Sequence, residues 1–539
     1  MITDKHIRTL NDLIDAAARH RGRRTALATL ETKLSFRDLR LMVMSVAAGL
    51  HKAGVRRGDC VAIVHRNGMP FVVTYFALSR LGAVAVPINF MVQKPDELAH
   101  MLNDCGAVGA VTQTEFLPGL RLAARHAPAL KNLWVSDPHP EHKRDDHARR
   151  HHGQGSLEHP FADLASVDWR RLPHTPVDER EVAAILYTSG TTGVPKGVML
   201  THRNLITNCT SAAAHMRLRQ RDVVLCILPM FHTFAWTANV LIPIRMGIKF
   251  AVAPSVTPAK LWLKLMVRHG VTLFTAVPPL FAVLAKEAVG VKRVLLRWWF
   301  FRKVRMAISG AAPLSAEVQR HFETALRVPI FEGYGLTETS PIATINPPGR
   351  RRPGTVGLPL HGVQIKIIDK DGGELAPGED GEVCIRGDCV MKGYFNLAEA
   401  TQAAFLPGGW FKTGDAGSLD TDGYLTIKDR LKDMIIVKGL KVFSAQVETI
   451  LLEHPALAEA AVIGVPDSYG DETVKAYVVL RPGAHADRAG LLRYCRERFD
   501  GYKRPRDIEI VEALPKNAVQ KVLKGELRRK EIERRKGGT

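Results

Sequence analysis

Between about residues 25 and 345 the chain repeats one pattern. A short apolar run ends at a glycine or proline and is followed by a longer stretch with helical spacing. GDCVAIVHRN reads as a strand entered from a glycine turn, and MPFVVTYFALSRLGAVAVPIN as a helix, a glycine stop and a second strand. EVAAILYTSG and VTLFTAVPP read as further strands. Apolar runs this short, separated by helices, are strands buried on both faces, so the pattern predicts α/β layers around mainly parallel sheets. With 539 residues the chain exceeds one ordinary core, and two or more domains are expected.

The texture changes after Gly354. GTVGLPLHGVQIKIIDKDGGELAPGEDGEVCIRG is β-rich with glycine turns, DGG being one, and TDGYL reads as another tight turn. After Asp433 a smaller α+β unit begins: AQVETILLEHPALAEAAVIGVPD is a helix then a strand, and AGLLRYCRERFDGYKRP a helix. The basic terminus GELRRKEIERRKGGT is expected to fray. Ser136 to His174 is polar and holds His139, His142, His147, His151, His152, His159 and His174. It reads as a solvated loop; for a metal site the chain has no supporting pattern such as HExxH.

Lys and Arg outnumber Asp and Glu by 75 to 54, a formal charge of +21. A basic surface suits phosphate-rich ligands or anionic lipid. Neither zinc-finger spacing nor an RNP-type aromatic motif is present, so nucleic acid is not an expected partner. The cysteines (Cys60, Cys105, Cys209, Cys226, Cys384, Cys389, Cys495) show no CxxC or disulfide-like spacing, and the polar N-terminus has no apolar signal region. A cytoplasmic location is therefore expected. Val223 to Ile244 lacks Lys, Arg, Asp and Glu over 22 residues, enough to span a bilayer. Pro229, His232, Asn239 and Pro243 interrupt it, so a buried strand–loop–helix is expected instead.

The stretch YTSGTTGVPKGVMLTHRN, Tyr187 to Asn204, follows an apolar strand. From Thr188 to Gly197 only Val194 and Pro195 are neither glycine, hydroxyl nor lysine. Glycines let backbone approach a ligand closely, successive N–H groups and hydroxyls donate to phosphate oxygens, and Lys196 adds charge. The P-loop rule GxxxxGK[ST] fails, because the second glycine would fall on Pro195. A phosphate-binding loop of another geometry is predicted.

This stretch resembles the signature of the adenylate-forming superfamily: acyl-CoA synthetases, firefly-type luciferases and peptide-synthetase adenylation domains. Further motifs follow in the family's order: LPMFHTFAW, ISGAAPLS, FEGYGLTETSP, WFKTGD, IKDRLKDMIIVKG and LPKNAVQKVLKGELR. The resemblance covers nearly the whole chain. It implies an N-terminal AMP- and acyl-binding domain over 1–431, carrying the parallel sheets and a β-rich subdomain. It also implies a small mobile α+β domain over 432–539, bearing the catalytic lysine and the CoA tunnel.

Carried over by motif, Thr188, Ser189, Gly190, Thr191, Thr192, Gly193 and Lys196 would clamp the β- and γ-phosphates of ATP. Gly310, Ala311 and Ala312 would flank the adenosine. Glu332, Gly333, Tyr334, Gly335 and Thr337 would form the adenine motif, Tyr334 stacking on the base. Glu338 would bind Mg²⁺ with Thr191 as partner ligand; Thr337 also reads as a helix cap. Asp415 and Arg430 would handle the ribose, with Ile427 beside them, and Lys432 would sit at the interdomain hinge. Lys438 and Gly439 would lie toward the CoA tunnel. Lys521 would stabilise the transition state in which a carboxylate attacks the α-phosphate, so Glu338, His232 and Lys521 are the expected catalytic set.

Two departures stand out. The family usually has Gly before the catalytic lysine, where this chain has Gln520. It usually has Pro where KGLKVFSAQVE carries Ser444, and Leu440 and Lys441 replace small or polar residues. Amino-acid-activating relatives place Asp where His232 stands, which disfavours an amino acid. Phe231, His232, Gly310 and Gly335 would border the acid, and Trp236 resembles an aromatic gate while reading equally well as a core indole.

The implied reaction is acid plus ATP to acyl-AMP and pyrophosphate, then CoA to acyl-CoA and AMP. A fatty acid is the leading substrate. An aryl-acid–CoA ligase, an acyl-AMP ligase loading a carrier protein and a non-catalytic nucleotide sensor remain as alternatives, and a homodimer is left open. RVLLRWWFFRKVRM, Arg293 to Met306, carries four aromatics among basic residues. It reads either as a helix–strand junction with exposed ends or as a peripheral membrane contact.

Overall fold

The structure, a computed structural model, describes residues 2, 6–92, 94–137, 157–188, 195–437, 440–466, 472–516 and 522–536. Packing divides the chain into two units, Met1–Gln364 with Ile385–Phe411, and Ile365–Cys384 with Lys412–Thr539.

The first unit is built on two large sheets. In one, the strands run in the order Gly393–Tyr394, Lys196–Thr201, Val182–Thr188, Val84–Pro87, Cys60–Val64, Gly109–Thr112, Asn132–Val135, Glu158–Pro160. From Val182–Thr188 onward the pairs are parallel; the first two joints are antiparallel. The other sheet runs Leu358–Pro359, Ile342–Ile345, Ile330–Gly335, Met306–Ser309, Leu273–Ala276, Val223–Cys226, Lys249–Val252, Thr25–Ala28, Lys33–Ser35. It is parallel through its centre. The expected mainly parallel α/β architecture is thus observed.

Local sequence accounts for the connecting helices. Met69–Leu81 starts with Pro70 in its first turn and stops at Gly82, whose φ of +66° ends the helix without strain. Phe71 to Leu81 is buried almost throughout except Arg80, as an apolar-all-round helix requires. His202–His215 is capped reciprocally by Thr201 and Asn204.

Val223 to Ile244 becomes the strand Val223–Cys226, a loop, the helical turn Thr233–Trp236 and the wider turn Thr237–Leu241 leading into Ile242–Met246. Among the described residues no helix is long and apolar enough to cross a membrane.

In the second unit, Trp410–Leu419 pairs antiparallel with Leu425–Arg430 across the predicted TDGY turn. A three-stranded sheet, Leu457–Pro466, Glu472–Leu480, Asp507–Ile510, packs the helices Ser444–Leu451 and Arg488–Arg498 on one face through Val447, Leu451, Leu491 and Cys495. The chain's end departs from expectation. Instead of fraying at Gly525, Lys524–Lys536 forms a helix whose Leu527 packs with Ala461, Ile463 and Tyr477. One turn later Glu531, 4% exposed, receives Lys475 at 2.9 Å. One buried leucine and one buried ion pair on the same face hold a helix that its composition alone would leave loose.

Candidate active site

The carboxyl ends of the central parallel strands in the second sheet carry a two-sided site. Registers Thr275↔Ile308, Ala276↔Ser309 and Ser309↔Glu332 set which side chains share a face. Alternation sends Val224, Leu273, Thr275 and Ile308 to one face. It sends Phe274, Ala276, Ala307 and Ile330 to the core on the other, where Ser309 and Glu332 also lie.

On the Glu332 side the crevice is polar and close-fitting. Ser309 Oγ is buried without a hydrogen-bond partner. Glu332 accepts the Leu314 N–H at 3.3 Å, while burial pushes its carboxyl up to about 7. The turn beyond Ser309 runs through Gly310, Ala311 and Ala312, with Ala311 at φ +72°, a strained value for a residue with a Cβ. Gly335 is obligatory, since a Cβ there would lie 1.7 Å from the Pro341 carbonyl oxygen, and at Gly333 it would lie 3.0 Å from that of Thr344. Tyr334 stands between them on the same strand, opposite Thr344. A buried acceptor, an unused hydroxyl and bare backbone suit a flat, amino-bearing ring.

On the opposite face lies an apolar cavity of about 20 Å³, lined by Val224, Phe234, Ala238, Leu273, Ile308 and other aliphatic side chains, with Thr275 as its hydroxyl. Phe234, Ala238 and Ile242 recur every four residues and present one edge to it. The Phe234 ring abuts Gly310, where a Cβ would sit 3.1 Å from the ring. Asn67 clamps the loop before this helix, donating to Leu228 O at 2.9 Å and accepting from Met230 N at 2.8 Å. His232 follows Phe231, ring to ring at 4.3 Å. Its Nε2 has no partner, and burial pushes the imidazole down to about 4, so it is neutral near pH 7. Trp236 is packed among Phe71, Tyr75 and Phe76 of Met69–Leu81, with Tyr75 stacked at 4.1 Å. Of the two readings of Trp236, the packing is that of a core indole, and Phe234 takes the place beside the cavity.

A third group gathers around Glu338. Tyr394 Oη donates to Glu338 Oε1 at 3.1 Å, and the Lys196 ammonium lies 5.1 Å from the Tyr394 ring centroid. The cause is the pairing of Gly393–Tyr394 with Lys196–Thr201, Tyr394 opposite Val198. Thr188 pairs with Lys196 at the mouth of the glycine–hydroxyl loop; Ser189, Gly190, Thr191, Thr192 and Gly193 lie outside the described residues. Thr337 opens a short helical turn and meets Thr233 Oγ1 at 3.4 Å. The capping expected of Thr337 is done by Thr339, whose Oγ1 accepts the Leu336 N–H at 2.9 Å. Magnesium prefers hard oxygen donors, commonly one carboxylate completed by phosphate oxygens. Glu338, half-exposed and held by Tyr394, fits that demand. Among the described residues no cluster of three or more His, Cys, Asp or Glu could hold a metal, which bears on His159 and His174; the other histidines of that segment lie outside them.

In the second unit Asp415, 3% exposed, pairs with Arg430 at 2.7 Å, the two being cross-strand neighbours, and Ile427 lies opposite Gly417. Lys432 is exposed on the following turn, Leu431–Asp433. Ser444 donates to Asp429 Oδ2 at 2.7 Å and accepts from Lys524 Nζ at 2.7 Å, while Lys524 also pairs with Glu448 at 2.6 Å. Lys438, Gly439, Gln520 and Lys521 lie outside the described residues.

Sequence reading missed Tyr394, Phe234 and Ser309. The four-residue recurrence of Phe234, Ala238 and Ile242 was a usable signal. Tyr394 had none beyond the short KGYFN run, because its partners are remote in sequence.

The AMP-binding enzyme family matches residues 14–395, and the AMP-binding enzyme C-terminal domain matches residues 446–521. The long-chain-fatty-acid–CoA ligase of Bacillus subtilis is 35% identical over 97% of this chain and 94% of its own length. The 4-coumarate–CoA ligase 5 of Oryza sativa subsp. japonica is 35% identical over 93% of this chain and 90% of its own. Among solved structures, the anthranilate CoA ligase AuaEII in complex with anthranoyl-AMP superposes with a TM-score of 0.86 at 29% identity, covering 98% of each chain.

Proposed function

From the premise that this chain belongs to the AMP-binding enzyme family and is an acid–thiol ligase, we propose that it activates a medium- or long-chain fatty acid to acyl-AMP and passes the acyl group to CoA. The observation that carries the fatty-acid reading is the cavity beside Gly310, whose lining is aliphatic apart from Phe234 and one threonine hydroxyl. With about 20 Å³ free, an acyl chain enters it by displacing the Phe234 ring.

In the first step an oxygen of the acid attacks the α-phosphorus of ATP, and the bond to the bridging oxygen of pyrophosphate breaks. Ser309 and Glu332 receive the adenine, Tyr334 stacks on it, and Asp415 accepts hydrogen bonds from the ribose hydroxyls, held in place by Arg430. When bound through Glu338, magnesium supplies positive charge against the phosphates. Tyr394 keeps the Glu338 carboxylate aimed, and Lys196 with the loop from Thr188 to Gly193 holds the departing phosphates. His232, neutral in its buried setting, offers an N–H to the acid without adding a competing positive charge. Lys521 neutralises charge between the approaching carboxylate and phosphate.

In the second step the CoA sulfur attacks the acyl carbonyl carbon. The C–O bond to AMP breaks and the thiol proton passes to solvent. The small domain, 432–539, turns about Lys432 between the two steps, bringing Lys438 and Gly439 to the thiol in place of Lys521. The buried, unpaired cysteines support a reducing, cytoplasmic setting.

The test is AMP release with CoA present across alkanoic acids, 4-coumarate and anthranilate. The reading expects alkanoic acids of about eight carbons or more to give the highest kcat/KM, since each buried methylene adds to binding. A higher value for the aryl acids overturns it, and acyl-AMP that accumulates until a carrier protein is added assigns the other acceptor.

A further inference from the structure

The segment Gly290–Phe300 is turned inside out relative to an ordinary surface helix. Leu296 and Phe300, four residues apart, face the core of the nine-stranded sheet. The opposite side carries Val291, Val294, Leu295, Trp298 and Trp299, at helical spacing, with exposures of 85, 54, 52, 59 and 63%. Scattered exposed apolar residues need no explanation, but five contiguous ones including two indoles do.

The charges around this face select its occupant. Along the sequence from Lys286 to Lys303 it is flanked by Lys286, Lys292, Arg293, Arg297, Arg302 and Lys303, against the one carboxylate of that stretch, Glu287, which is tied to Lys292 at 2.7 Å. The Arg297 guanidinium lies over the Trp298 ring, 4.6 Å from its centroid. A protein partner for such a face would need an acidic rim around an apolar groove. A bilayer of anionic lipid offers both features over any area: phosphate charge at the depth of the cations and acyl chains at the depth of the indoles.

We propose that Gly290–Phe300 is a docking element for an anionic membrane surface, lying in the interfacial plane with Trp298 and Trp299 inserted and Arg293, Arg297, Arg302 and Lys303 at headgroup level. Its evidence is independent of the substrate. Its consequence, that a membrane-dissolved acid is collected at the surface, rests on the fatty-acid reading above.

The test is co-sedimentation of the whole chain with vesicles of phosphatidylcholine alone and of phosphatidylcholine mixed with phosphatidylglycerol. The expected result is binding to the mixed vesicles that weakens with salt. It should fall at least about tenfold in a Trp298→Ser, Trp299→Ser double variant and likewise in Arg293→Glu, Arg297→Glu. Adenylation of a short water-soluble acid by these variants should match the unaltered protein, which separates loss of docking from loss of folding or of the ligase reaction. Absence of binding by the unaltered protein, or equal binding by the double tryptophan variant, overturns the proposal. So does a dimer of the unaltered chain in solution that the tryptophan substitutions dissociate, since the face would then be covered by a second copy.

Discussion

Tyr394 donates its hydroxyl to Glu338 across 3.1 Å, and its ring lies 5.1 Å from Lys196. One residue from a two-residue strand thus touches the expected metal carboxylate and the lysine ending the phosphate loop. Removing the hydroxyl in Tyr394→Phe leaves the ring in place but withdraws one hydrogen bond from the Glu338 carboxylate. The Mg²⁺ concentration giving half-maximal pyrophosphate release should rise about tenfold, equivalent to one hydrogen bond to a charged group. Thermal unfolding should shift little, and an unchanged Mg²⁺ dependence would show that Glu338 is oriented by other contacts.

Burial holds the Glu332 carboxyl near pH 7, well above its usual range. Its ionised form is the stronger hydrogen-bond acceptor toward an amino group. The KM for ATP should therefore be lowest above about pH 7 and rise up to about tenfold per pH unit below it. Glu332→Gln should flatten that profile while raising KM at high pH, measured at saturating acid.

The two glycines of the crevice should fail differently. A Cβ at Gly335 meets backbone at 1.7 Å, so Gly335→Ala should cost about 3 kcal/mol or more and be seen as a loss of denaturant stability. At Gly310 the obstacle is the movable ring of Phe234 at 3.1 Å. Gly310→Ala should stay folded and instead lower kcat/KM for long acids about tenfold relative to short ones.

His202 is buried and its Nδ1 accepts the Leu10 N–H at 3.3 Å. Burial pushes its imidazole from 6.5 to about 4. The unfolded chain therefore takes up this proton first as pH falls, so the stability contribution is complete above about 6.5 and is lost toward about 4. The loss is on the order of 3 kcal/mol. Urea unfolding between those limits should show it, and a His202→Gln variant should have a shallower slope.

Ser444 bridges Asp429 and Lys524 at 2.7 Å each. Ser444→Ala should destabilise the second unit by about 2 kcal/mol, because buried Asp429 and partly buried Lys524 each lose a hydrogen bond. Calorimetry of the whole chain should show the loss in the transition assigned to that unit.

Local pattern carried much of the fold. Met69–Leu81 announced itself by Pro70, a mostly apolar run and Gly82, since each of those acts within one turn of the backbone. The order of motifs likewise made the family legible. Where a residue's role depends on what lies across space, the same reading stopped short. Trp236 had two equal readings until Phe71, Tyr75 and Phe76 surrounded it. Lys524–Lys536 looked like a loose basic tail because Leu527 and Glu531 meet their partners some 50 to 66 residues away in sequence.

By itself, then, the sequence determined the α/β rhythm and the family, because periodicity and motif are short-range properties of the chain. Tertiary structure alone decided that alternation at the ends of neighbouring strands puts Glu332 and the aliphatic cavity on opposite faces. It alone brought Tyr394 to Glu338, and turned the apolar side of Gly290–Phe300 outward, since burial and pairing are set by neighbours that folding supplies.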